Sequence, residues 1–101
     1  MADFTKAGSD RGDLEQQLKH HLISANIIYQ SYICNIESLT EEELKADLEE
    51  YITKIQIEIL PLIEQAESLK EENLISKAYQ VKSIYNDLIE SIKAQLEKVK
   101  K

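Results

Sequence analysis

The side chains able to do chemistry are few and scattered along this chain. There are one cysteine, Cys34, and two adjacent histidines, His20 and His21. Five tyrosines stand against one phenylalanine and no tryptophan. A carboxylate-bridged metal pair in a helical bundle needs a Glu three residues before an inward-facing His. Here Gln17 precedes His20 and Leu18 precedes His21 at that spacing. A zinc site needs several Cys or His ligands, and neighbouring histidines on a helix point about 100° apart, so the pair cannot chelate one ion. Cys34 falls near the C-terminal end of a helical pattern, where the dipole opposes a thiolate. The only glycines are Gly8 and Gly12, so no glycine-rich phosphate loop follows a strand. These residues predict neither an enzyme nor a cofactor or metal site.

Two local patterns invite a functional reading and have a plainer one. Arg11-Gly12-Asp13 spells an adhesive tripeptide, but Asp13 is better placed as a helix cap, with Gln16 three residues on. The acidic stretch from Thr40 to Glu50 could mimic nucleic-acid charge, yet a capped helix start with a solvated face explains it better. The net charge of −7 argues against binding to nucleic acid or an anionic membrane surface. A lone cysteine excludes an internal disulfide and points to a reducing, cytoplasmic setting. Residues 1–12 lack the apolar core of a signal peptide, and no apolar run approaches the about 20 residues of a membrane span.

The elements that must position these residues follow from periodicity. Residues 1–12 are polar and aperiodic and are expected to form a flexible tail; residues 13–101 form one domain. After Asp13, Leu18, Leu22, Ala25, Tyr29, Tyr32, Ile36 and Leu39 alternate spacings of four and three, the seam of a long helix. Thr40 with Glu43 is a capping box that opens a second helix. Its stripe is Leu44, Leu48, Ile52, Ile55, Ile59, Leu62, Ala66 and Leu69. Pro61 lies inside that stripe, removes one backbone donor and predicts a kink. The next boundary is weak. Only Asn73 favours a turn between Leu69 and Leu74, so a continuous rod is the alternative there. A third helix carries Leu74, Ala78, Val81, Tyr85, Leu88 and Ile92, with Leu96 and Val99 extending its apolar side.

Short connections force neighbouring helices antiparallel, which gives an all-α, up-down-up antiparallel three-helix bundle with long helices. Charge placement agrees. The basic end of the third helix, with Lys98 and Lys100, would meet the acidic start of the second, Glu41 to Glu43. Lys19, His20 and His21 would approach Glu64, Glu67 and Glu71. Four of the tyrosines fall on or beside the seams, where their hydroxyls would reach the rim; Tyr79 falls off them.

The remaining signal is surplus apolar surface. On a helical projection Ile23, Ile27 and Cys34 point roughly 120–160° from the core direction, and Ile57 and Leu60 about 140–200°. Both groups sit mid-helix, and such a surplus marks a contact face. The sequence therefore predicts a non-enzymatic interaction module (an adaptor, an assembly subunit or a small acidic inhibitor) that binds another protein or a second copy of itself through Ile23, Ile27, Cys34, Ile57 and Leu60. The alternative is a carrier of a small apolar or aromatic ligand held among the tyrosines between splayed helices.

Overall fold

The structure, a computed structural model, describes the backbone of residues 2–100 and the side chains of residues 12–100. Four α-helices follow in order: α1 (Ala2–Asn35), α2 (Glu41–Lys54), α3 (Leu60–Leu69) and α4 (Glu72–Lys100). A single turn of 3-10 helix, Ile36–Ser38, ends α1. A π-helical turn, Ile55–Ile59, joins α2 to α3 so that the two form one rod. Three long rods result, and no strand occurs among the described residues. They run up, down and up in a bundle of 61 × 21 × 19 Å. Antiparallel pairing is fixed at both seams of the middle rod: Tyr32 of α1 bonds Asp47 of α2, and Tyr79 of α4 bonds Glu67 of α3.

Local chemistry accounts for most boundaries. The Asn35 side chain donates back to the Ser31 carbonyl at 2.9 Å, and the Leu39 N–H closes the 3-10 turn onto the Ile36 carbonyl. Thr40 then makes the expected capping box. Its hydroxyl accepts from the Glu43 N–H at 3.1 Å, while its own N–H donates to the Glu43 carboxylate at 3.0 Å. Two orphan donors of α2 are satisfied together.

The Pro61 region behaves differently from a simple kink. Pro61 has no N–H to offer, and its ring would collide with the carbonyl four residues back in a regular α-helix. The chain answers with the wide turn just before it, in which the Leu60 N–H reaches the Ile55 carbonyl five residues back. A π-turn of this kind inserts about one residue into the helical phase. The apolar stripe survives this insertion: Ile55, Ile59, Leu62, Ile63 and Ala66 are all buried.

The weak boundary is a true break. Lys70 adopts φ 55° and ψ 33°, the left-handed conformation usually held by glycine at a helix end, and its N–H bonds the Glu67 carbonyl. It is the only non-glycine residue with positive φ among those described. The chain reverses in two residues, and α4 starts at Glu72.

At the other end, the backbone departs from expectation. Helix α1 begins at Ala2, so Asp13 lies inside it and is no cap. The side chains of the expected tail, Phe4 included, lie outside the described residues. The Arg11 side chain of the tripeptide likewise lies outside the described residues.

Helix α4 lies at the centre of the packing and touches every other helix and both irregular turns. Its seam of Leu74, Ala78, Val81, Tyr85, Leu88, Ile92 and Leu96 is buried as the spacing predicts, and Ile89 and Gln95 are buried as well. Against it pack Leu14, Leu18, Ala25 and Ile36 from the first rod and Leu44 onward from the second. Three predicted core positions are not enclosed: Ile52, Leu69 and Val99 are exposed. At position 52 the inward place is taken by Tyr51, whose ring packs on Tyr85. Lys100 lies close enough to Glu41 to favour its ionised form, as the charge pattern predicts, although Lys45 beside Glu41 is the larger influence. At the far end two of the expected partners differ: His21 faces Lys54 and Glu58, and Glu67 is engaged by Tyr79.

Gly12 tests where α1 begins. It is helical, and a methyl group built on it would meet nothing within 4 Å. Gly12→Ala should therefore raise stability by about 0.5–1 kcal/mol in chemical denaturation, the helix-propensity difference in an open site. No gain would mean the helix is not populated there.

Candidate functional site

The sequence-predicted contact residues divide into two spots. Ile23 and Ile27 lie one turn apart on the outer side of α1, opposite the buried Leu18 and Ala25, with 53% and 61% of their surface exposed. Cys34 continues the same strip, also exposed. Ile57 stands on the π-turn at 68% exposure, the most open of the large hydrophobic side chains described. Each spot points away from the shared core, and His21 beside Glu58 puts them at a similar height. Leu60 is a correction. It is half-buried and packs against the core, because the wide turn changes the rotation per residue that the projection assumed.

Between the spots runs a feature the periodicity did not reveal. Among the described residues the backbones of α1 and α2 make no close approach. Tyrosines fill the gap. Tyr32 and Tyr51 meet edge to face with centroids 6.0 Å apart, and Tyr51 and Tyr85 lie at 6.0 Å in a tilted arrangement. Such pairs stabilise by about 0.5–1.5 kcal/mol beyond area burial. The Tyr32 hydroxyl donates to the Asp47 carboxylate at 2.7 Å, a charge-assisted bond. Burial first, and then that bond, push the Tyr32 phenol well above its usual range. Tyr51 and Tyr85 are also raised, chiefly by burial.

Tyr85 stands at the inner end of this wedge and is wholly enclosed. The seam position predicts a hydroxyl at the rim; instead it is buried, with no hydrogen-bond partner among the described residues. The Lys54 ammonium sits 5.9 Å from its ring centroid and 3.6 Å from the Glu58 carboxylate. His21 completes the cluster. Burial lowers its pKa, the nearby Lys54 and His20 lower it further, and Glu58 opposes them. His20 points elsewhere, with the two rings 6.2 Å apart and near perpendicular. The one signal that could have exposed this cluster is composition: five tyrosines and no tryptophan in a chain with a single phenylalanine.

Among the described residues no three His, Cys, Asp or Glu side chains gather as a metal-binding group, and no described helix is long and apolar enough to cross a membrane. Two open depressions score the surface. One lies between α1 and α3 and is lined by Leu14, Gln17, Pro61 and Glu64; the other lies along the α1–α4 groove beside Lys19 and Lys77. Neither is lined by the tyrosines. No protein-family model, curated protein or solved structure matches this chain. The functional reading therefore rests on the geometry alone.

Two measurements examine the wedge. Removing the Tyr85 hydroxyl removes an unpartnered buried polar group, so Tyr85→Phe should stabilise the fold by about 1–3 kcal/mol. Tyr32→Phe breaks a bond to a carboxylate and should destabilise it by about 1.5–3 kcal/mol. Urea titrations of the two variants should thus move in opposite directions. His21 supplies the pH dependence. Its folded pKa lies below the ordinary 6.5, so the fold disfavours the protonated form. Its contribution is present above the unfolded value and is lost as pH falls from there through the lowered folded value. Thermal midpoints should decline over that interval, and His21→Gln should flatten the decline.

Proposed function

We propose that this chain is a non-enzymatic protein-contact module whose principal contact is the outer strip of α1. The observation that carries this reading is the exposure of Ile23 and Ile27, one turn apart on the side opposite a fully formed core seam. Isolated exposed apolar residues are ordinary, but β-branched side chains in successive turns on an outer helix face gain most when a second surface covers them. Helix-in-groove recognition uses this spacing of three to four residues. The acidic balance fits a partner with a basic rim, where charge speeds encounter and sets register while the isoleucines supply affinity. Ile57, at a similar height on the middle rod, forms a second and smaller contact. The carrier reading lacks comparable support, because the tyrosines pack on one another and the open depressions lie elsewhere.

The test combines partner capture with purified-component titration. The chain, Ile27→Asp and Ile57→Asp would each be immobilised, and the protein retained selectively by the parent would be purified and titrated against all three. Covering one isoleucine is worth about 1.5–3 kcal/mol, so Ile27→Asp should weaken binding at least tenfold with unchanged circular dichroism. Ile57→Asp should weaken it less. Equal affinity of all three chains, or retention of nothing by the parent, would sink the reading.

A further inference from the structure

We infer that the Lys70 hinge is built to open, and that this chain exchanges α4 with a second copy of itself to form an intertwined dimer. Three observations meet at this point. First, the reversal from α3 to α4 takes two residues and puts a lysine, not a glycine, in the left-handed conformation. A side chain there is disfavoured by contact between its Cβ and the following carbonyl. Second, the residues around the hinge, Leu69, Lys70, Glu71 and Glu72, are all good helix formers, and no proline or glycine interrupts them. Rotating Lys70 into the right-handed region relieves the strain, and bringing Glu71 into helical conformation with it fuses α3 and α4 into one rod.

Third, the pairing register makes the open form self-complementary. Tyr51 lies beside Tyr85, Glu67 beside Tyr79 and Glu41 near Lys100. The mid-point of all these pairs falls near Lys70. Two opened chains laid antiparallel about that mid-point reproduce every contact between the middle rod and α4, now made between copies. A new junction forms where the two rods cross, beside Leu69. That leucine is 42% exposed in the closed chain although it sits on the predicted core stripe. In the exchanged dimer it meets its counterpart, so the exchange covers more of this side chain. Because the core is the same in both forms, the hinge alone decides between them, as in other exchanges of identical elements between protomers.

The experiment compares the full chain with Lys70→Gly, Lys70→Ala and Ile27→Asp, each refolded at high concentration and followed by light scattering on dilution. The parent should show a dimer that persists on dilution because release requires unfolding. Lys70→Gly both relaxes the closed hinge and weakens the open helix, at two hinges per dimer, and should lower the association constant by about a hundredfold or more. Lys70→Ala should retain the dimer, and so should Ile27→Asp. A second measurement reads topology directly. In a Cys34→Ser background, Glu67→Cys in one chain and Tyr79→Cys in a mass-tagged second chain are refolded together and oxidised. A disulfide joining the untagged chain to the tagged one is expected from exchange. A parent that stays monomeric throughout would overturn the inference, as would a dimer indifferent to Lys70→Gly. A dimer abolished by Ile27→Asp would instead assign self-association to the α1 strip.

Discussion

Everything in this bundle depends on hiding one helix face. The α4 seam from Leu74 to Leu96 has no exposure to speak of, and it is covered from two sides at once, by α1 and by the middle rod. A single amphipathic helix of this length is marginal in water, because nucleation is unfavourable and propagation adds little. Burial against neighbours turns three marginal helices into a cooperative unit. The first rod and the middle rod meet less intimately. Each leans on α4, and between α1 and α2 the contact is made by side chains and not by closely packed backbones.

That asymmetry explains why aromatic residues collect where they do. A gap too wide for aliphatic interdigitation suits long, flat side chains, and Tyr32, Tyr51 and Tyr85 bridge it as a stack with polar ends. Asp47 satisfies the outermost hydroxyl, Lys54 lies over the innermost ring, and the deepest hydroxyl has no partner among the described residues. The wedge combines good packing with one local conflict. Such conflicts are where a fold departs from the best choice for stability alone.

Periodicity carried the architecture. Alternating spacings of four and three located all three rods, and Thr40 with Glu43 marked their first boundary because a capping box has its own local hydrogen-bond signature. The second boundary carried no such mark. Lys70 holds a glycine's conformation for tertiary reasons, since α4 must turn back to bury its seam, and no local preference of the residue reveals it. The Asp13 cap failed for a related reason: a good capping residue remains compatible with a helix interior, and α1 continues through it. Of the proposed contact residues, Ile23, Ile27 and Cys34 were legible as outward-facing because α1 is regular there, and Ile57, inside the π-turn, also faces outward. Leu60 was not, since a uniform rotation per residue cannot be carried across that turn. The tyrosine wedge was invisible for want of pairwise information. Each tyrosine sat near a seam, but nothing in one helix's spacing says which ring it will meet.

The wide turn ahead of Pro61 has a consequence for how this chain can vary. Because it holds about one surplus residue, it works as a phase adjuster between two stretches of rod that answer to different neighbours. Upstream, the register is tied to the tyrosines and Asp47; downstream, it is tied to Leu62, Ile63 and Ala66. Changes of length or tilt on one side can be absorbed there before they reach the other. The proline anchors that slack in one place, since its missing donor rules out a seamless helix across it. A molecule with so uniform an outline thus has a built-in joint.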